Sequence, residues 1–152
     1  MKMPKVFGEV VERPSWDDWA LDIALAVSKR ADCSRRQVGA VALSEDHRVL
    51  GTGYNGLPAG KPGCLTDGAC PRGRLSYDEL AGGSVYVDAD APCYAIHAEE
   101  NLILYVGRAS LIHSTVYVTD EPCFNCQRLL MGCGAKEIVW RDELGVICRN
   151  IL

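Results

Sequence analysis

Between Thr115 and Trp140 two short β-branched and aromatic segments flank one helical segment, and this succession constrains the fold more than any other feature. Residues 115–119 (Thr-Val-Tyr-Val-Thr) read as a strand. Residues 123–133 read as a helix entered after Pro122 and ended by Gly132 and Gly134, and 137–140 (Glu-Ile-Val-Trp) as a second strand. Strands joined through a helix pair in parallel, with a right-handed crossover. Such a pair needs helices over its faces, so the chain is expected to be α/β.

Upstream segments extend the same design. From 16 to 29, Trp16, Trp19, Ala20, Ile23, Ala26 and Val27 recur at three and four, which predicts an amphipathic helix with both tryptophans in the core. Ser15 is placed to cap it, and Asp17 and Asp18 complement its dipole. Residues 38–43 and 49–54, around the polar turn Ser44-Glu45-Asp46-His47, predict a hairpin, and 97–106 predicts a further helix. From Asn55 to Pro92 the chain is rich in Gly, Pro and Asp without sustained period, the mark of a stretch that is functional or clamped. With no repeat and no boundary, one domain is expected over 1–152, carrying an irregular insertion at about 60–92.

Composition narrows the function classes. The 152 residues are 48% hydrophobic and 24% charged, as in globular chains rather than disordered or coiled-coil ones. The apolar stretch 20–27 carries Asp22 and is far shorter than the roughly 18–20 residues a membrane span needs. Glu9, Glu12, Asp17 and Asp18 leave no room for a signal-peptide core, so a cytoplasmic protein with no membrane partner is expected. Sixteen basic against twenty acidic residues give a net charge of −4, with no basic tail and only 7% aromatic residues, against a polymeric nucleic acid partner. Eight cysteines in a reducing compartment stay thiols, and metal ligation is their usual employment.

Pro122-Cys123-Phe124-Asn125-Cys126 sets two thiols three residues apart at a helix start, where they share a face and the dipole favours thiolate. Alone, the pair reads equally as a redox couple, half of a structural zinc site or a chance spacing. Upstream, His97-Ala98-Glu99 also opens a helix. One imidazole and two thiolates make three ligands and leave a fourth position for water, the arrangement of a catalytic zinc, beside which Glu99 can carry protons. Singly, His97 reads as a core histidine and Glu99 as a first-turn acid. Jointly the residues match H-x-E followed by P-C-x-x-C, the zinc deaminase signature.

On these motifs the chain resembles the cytidine and deoxycytidylate deaminase superfamily, and within it the deoxycytidylate (dCMP) deaminases. The likeness runs from about Trp16 to Trp140 and includes Cys33-Ser34-Arg35-Arg36-Gln37-Val38-Gly39-Ala40-Val41 and Gly51-Thr52-Gly53-Tyr54-Asn55-Gly56-Leu57-Pro58-Ala59-Gly60. Tyr117-Val118-Thr119 also fits. Phe124 stands where the family most often has proline, and Asp120 where an apolar residue is usual.

The resemblance implies a three-layer α/β/α cytidine deaminase-like fold with a central mixed sheet of about five strands. It implies hydrolytic deamination of dCMP to dUMP, with zinc on His97, Cys123 and Cys126 and with Glu99 as proton carrier. Other cytosine nucleotides, such as dCTP or a modified dCMP, are the nearest alternatives; a zinc-stabilised module without catalysis is a more distant one, against which Glu99 speaks. Asn55, Arg35 and Ala98 are implied at the substrate, and Arg108 at a neighbouring subunit's site. As turn, surface or helix-end residues, Asn55, Arg35 and Arg108 also have ordinary explanations. Cys33, Cys64, Cys70 and Cys93 are candidates for a second, structural zinc that orders the polar insertion. Cys133 and Cys148 are expected in the core. The family likeness further implies a homo-oligomer, often a hexamer, activated by dCTP with Mg2+ and inhibited by dTTP, with Tyr54 and Gly56 near the effector.

Overall fold

The computed structural model describes residues 10–68, 70–76, 78–80 and 91–152. The expected reading of residues 1–9, and of 69, 77 and 81–90 within the insertion, lies outside the described residues. The elements run α1 (Trp16–Ser28), β1 (Gly39–Leu43), β2 (Val49–Tyr54), α2 (Ala98–Val106), α3 (Arg108–Leu111), β3 (Thr115–Val118), α4 (Phe124–Gly132), β4 (Glu137–Arg141) and β5 (Ile147–Ile151). They form one five-stranded sheet in the order β2-β1-β3-β4-β5. β1–β2, β1–β3 and β4–β5 are antiparallel, and β3–β4 is the expected parallel pair, with Val116 opposite Ile138.

Period-two alternation sends each strand's side chains to two different layers. Ala40, Ala42, Val116, Val118 and Ile138 bury against Ala98, Leu102, Leu111 and Leu130 of the helices on one face. Val41, Leu43, Tyr117 and Val139 bury against Ala20, Leu21 and Ala24 of α1 on the other. The mixed sheet therefore lies between two helical layers, the α/β/α arrangement expected. The core is these two apolar sheets of contact, and the two ends of the strands are left to loops.

α1 differs in detail from its sequence pattern. Ser15 caps it, with the Asp18 N–H donating to its Oγ at 3.0 Å. The buried stripe, however, is Ala20, Leu21, Ala24 and Ser28, while Trp16 is half exposed and stacks on the His47 ring at 4.4 Å. Small residues win the inner face because the helix lies close to the sheet: a Cβ on Gly39 would collide with the Ala24 carbonyl and Ser28 backbone. Gly53 does the same for α2, meeting the Ala98 carbonyl and the Leu102 backbone.

β5 has no counterpart among the strands read from sequence. It returns through a turn in which the Asp142 carboxylate accepts from the N–H groups of Leu144 and Val146, both within 2.9 Å, and Gly145 takes a positive φ of 79°. Arg108 follows the end of α2 and opens α3, and its Nε donates to the Gly132 carbonyl at 3.2 Å, at the C-terminal end of α4, as its ordinary helix-end explanation has it. Cys133 is buried as expected, whereas Cys148 is partly exposed on β5.

Candidate metal centre and catalytic cavity

Two helix N-termini meet at the end of the sheet where β3 stops. His97 and Cys123 are the N-cap residues of α2 and α4, both extended, and Cys126 lies one turn into α4. His97 Nδ1 is 3.6 Å from Cys123 Sγ and 3.5 Å from Cys126 Sγ. Tetrahedral zinc, with bonds of about 2.3 Å to sulfur and 2.0–2.1 Å to nitrogen, sets nitrogen–sulfur separations of about 3.6 Å. The three donors fit that ion, and among the described residues they are the one group whose ligand atoms gather within 4.8 Å.

The chain builds this spacing from several directions. Gly53 lets the first turn of α2 sit against β2, and the Glu100 carboxylate accepts from the His97 N–H at 2.9 Å. Thr119 ties the end of β3 to β1 twice: its Oγ1 accepts from Gly39 N–H, and its N–H donates to the Gly39 carbonyl. Gln127 Nε2 holds the Pro122 carbonyl at 2.8 Å, and Asn150 Nδ2 on β5 holds Gln127 Oε1 at 2.8 Å. The Asn150 brace was missed in the sequence, since a polar residue on an unrecognised edge strand gives no signal of what it braces.

Glu99 is 4% exposed. Burial pushes its carboxyl above the usual carboxylate range, opposed by a backbone hydrogen bond, by His97 and by a hydrogen bond with Cys126. Burial also pushes the Cys126 thiol up, with Glu99 and Cys123 adding to it. A cation between the donors supplies the charge that stabilises these thiolates and a carboxylate together.

A cavity of about 680 Å³ opens beside the donors. His97, Ala98, Glu99, Cys123, Asn55 and Arg35 line it, joined by Arg36, Arg72, Asp120 and Glu121. Asn55 is buried, and its side chain pins the preceding loop: Oδ1 accepts from Val38 N–H at 2.8 Å and Nδ2 donates to the Arg36 carbonyl at 2.9 Å. The Arg35 guanidinium donates to the carbonyls of Arg72, at 2.9 Å, and Leu75, so it braces the 72–75 wall. Gly56 bridges Ile96 just before His97, and the Tyr54 carbonyl accepts from Asn101 at 2.7 Å. Arg108 is not among the residues that line the cavity.

Cys33, Cys64, Cys70 and Cys93 line the same cavity. Cys64 and Cys70 are buried, and backbone N–H groups meet the sulfurs: Cys70 to Cys64 at 3.4 Å, Gly73 to Cys70 at 3.3 Å, Arg35 to Cys33 at 3.4 Å. The Cys70 thiol also hydrogen-bonds those of Cys64 and Cys93. Burial raises the Cys64 thiol to about 11. At Cys70 burial raises the thiol too, but the Gly73 N–H and the thiols of Cys64 and Cys93 outweigh it and hold it below the usual range.

An α/β/α sheet with a His-Cys-Cys centre at two helix N-termini and a buried carboxylate beside it defines a metal-dependent hydrolytic enzyme class. The chain belongs to the cytidine and deoxycytidylate deaminase family: residues 14–141 match the model of its zinc-binding region. A deoxycytidylate deaminase of Mycobacterium phage D29 is 47% identical over 133 residues, covering 88% of this chain and 99% of that protein. The deoxycytidylate deaminase of Schizosaccharomyces pombe is 36% identical over 86% of this chain, which spans 38% of the yeast protein. A crystal structure of the cyanophage S-TIM5 dCMP deaminase with dCMP and dUMP, 24% identical, superposes with a TM-score of 0.62 over 86% of this chain and 84% of the other, a likeness of fold. Among the described residues no helix is long and apolar enough to cross a membrane.

Proposed function

We propose that the chain deaminates dCMP hydrolytically to dUMP and ammonia, supplying dUMP for thymidylate synthesis. The observation that carries this reading is the trio His97, Cys123 and Cys126 at zinc spacing with buried Glu99 beside it, in a nucleotide-sized cavity. Zinc held by the three donors supplies water activated as a nucleophile near neutral pH. Glu99 would take one proton from that water as its oxygen bonds to C4 and pass it to N3 of the cytosine ring, then take the second proton from the new C4 hydroxyl and pass it to the exocyclic amine. The C4–N bond then breaks, ammonia leaves, and oxygen remains on C4. Its buried place beside the donors and on the cavity wall suits Glu99 to this exchange.

Ala98 and Asn55 border the base and sugar in this reading, Asn55 through the hydrogen-bonding capacity its loop contacts leave unused. Arg35 contributes positive charge to the phosphate end while holding the wall. Cys33, Cys64, Cys70 and Cys93 take a second zinc that draws their paired sulfurs into one shell, and the insertion at 60–92 within a single 1–152 domain is ordered around it. The enzyme works in the cytoplasm as a homo-oligomer, a hexamer by family likeness. Exposed Leu104 and Tyr105 on α2 and Phe124 and Met131 on α4 support an assembly. dCTP with Mg2+ and dTTP act as effectors near Tyr54 and Gly56, and Arg108 reaches a neighbouring site.

Ammonia release across cytosine, cytidine, deoxycytidine, dCMP and dCTP, with metal analysis of the same sample, tests the reading. dCMP is expected to be turned over with the highest kcat/KM. A preference for dCTP or for free nucleosides overturns the substrate assignment.

A further inference from the structure

Of the three donors at the metal centre, Cys123 is the least held by its own element. Cys126 is buried one turn into α4, and His97 is half-buried with its N–H held by Glu100. Cys123 is exposed, stands at the N-cap of α4, and makes no side-chain capping hydrogen bond. Its place is therefore set by the chain that enters the helix. That chain is the buried Pro122, whose ring fixes one backbone torsion and leaves the direction of its carbonyl to decide where Cys123 lies.

Gln127 Nε2 donates to that carbonyl at 2.8 Å from the next turn of α4. Its other end is engaged as well, since Oε1 accepts from Asn150 Nδ2 at 2.8 Å. An amide held between an acceptor and a donor has one working orientation. Turned over, it would set oxygen against the Pro122 carbonyl and two N–H groups against those of Asn150. Asn150 thus decides which end of Gln127 faces the donor-bearing turn. It is itself fixed by the sheet, opposite the fully buried Ile138 of β4.

We propose that Asn150 is a positioning residue for the metal centre: by holding the Gln127 amide in one orientation it fixes the Pro122 carbonyl, and through it the Cys123 thiolate. β5 supplies no donor and no residue to the catalytic cavity, yet it sets how firmly the ion is held. The inference rests on reading His97, Cys123 and Cys126 as zinc ligands.

The test follows zinc release from the full chain to a colorimetric chelator, with melting temperature recorded for every variant. The release phase that Cys123→Ala lacks belongs to this centre. Gln127→Ala is expected to speed that phase about 10- to 100-fold, as loss of an outer partner does at other metal sites. Asn150→Ala, which leaves Gln127 free to keep its bond to Pro122 part of the time, should speed it about 3- to 10-fold. Asn150→Asp keeps the size of the side chain but cannot donate, so it draws the Gln127 amide over and should match Gln127→Ala, exceeding the truncation to alanine. In Gln127→Ala/Asn150→Asp release should stay within about two-fold of Gln127→Ala alone, because the second change acts only through the first. Lower melting temperatures with unchanged release make both residues ordinary structural ones and overturn the proposal. So does a double variant whose effects multiply, or an Asn150→Asp gentler than Asn150→Ala. Cys123→Ala that keeps every wild-type release phase defeats the ligand reading beneath it, a result distinct from any failure at Gln127 or Asn150.

Discussion

His97 and Cys123 each stand immediately before a nine-residue helix whose inner face is packed on the sheet, whereas Cys33, Cys64, Cys70 and Cys93 stand in turns and irregular chain. The first set is positioned by elements that exist for other reasons: burial of Leu102 and Leu130 fixes α2 and α4, and the donors follow. The second set is positioned by local stitches. The Asp32 carboxylate takes the Leu65 N–H at 2.7 Å and the Thr66 hydroxyl at 3.3 Å, Arg35 holds the 72–75 carbonyls, and N–H groups meet the sulfurs. Donors on packed helices are preorganised before any ion arrives, so their binding energy goes to the ion; donors on loops spend part of it ordering chain.

Removing a donor from the packed set breaks the comparison most severely. His97→Ala or Cys123→Ala is expected to abolish both turnover and zinc at that centre, because two protein ligands rarely retain the ion. Full metal content by mass spectrometry in either variant would sink the ligand assignment. Glu99→Gln separates chemistry from metal binding: zinc stays, and dCMP turnover falls about 10²- to 10⁴-fold. Substantial residual activity there would remove Glu99 from the proton path.

In the loop set, Cys64→Ser or Cys70→Ser is expected to cost about 1–3 kcal/mol of stability, seen as a lower melting temperature, and to speed proteolysis within 60–76. His97, Cys123 and Cys126 should remain metallated. A count of two zinc ions per wild-type chain and one in these variants sharpens the contrast; one ion in clean wild type would leave the four sulfurs as buried thiols.

The difference between the regions also explains what was legible in the sequence. Residues at helix starts announce themselves, since caps, dipole and i,i+3 spacing are local, and so His97, Glu99, Cys123 and Cys126 could be grouped before any coordinates. The parallel β3–β4 pair was legible for the same reason, because Thr115–Val118 and Glu137–Arg141 carry strand composition on either side of one helix. β5 was not: Ile-Cys-Arg-Asn-Ile runs apolar, apolar, polar, polar, apolar without period-two alternation, and its clearest signal is the Asp142 to Gly145 turn. Trp16 failed because periodicity reports a face, not how closely that face approaches a sheet; Gly39 sets that distance, and it selects Ala20, Ala24 and Ser28 for the interior. The ion pair of Arg36 with Asp120 on the cavity wall could not be found by spacing, since they lie 84 positions apart on two loops that the β1–β3 pairing brings together.

The smallest expected effect is a control for locality, on the face of the sheet away from both cysteine sets. Ser15 Oγ donates to Asp18 Oδ2 at 2.7 Å and accepts from the Asp18 N–H, and Arg141 pairs with the same carboxylate at 2.6 Å. Ser15, then Arg141, hold the Asp18 carboxyl below the ordinary carboxylate range, with burial opposing them. A carboxylate depressed on folding stabilises the fold above its unfolded value, near 3.9, and that contribution is lost as pH falls through the lower folded value. Ser15→Ala removes both the cap and the largest single cause of the depression. It should cost about 1 kcal/mol at neutral pH, with the gap from wild type narrowing as pH drops below about 4. Zinc content at neutral pH should be unchanged at both cysteine regions. If the variant instead sheds metal from the loop set, those sulfurs depend on global stability rather than on the stitches at Asp32 and Arg35, and the proposed independence of the two regions is lost.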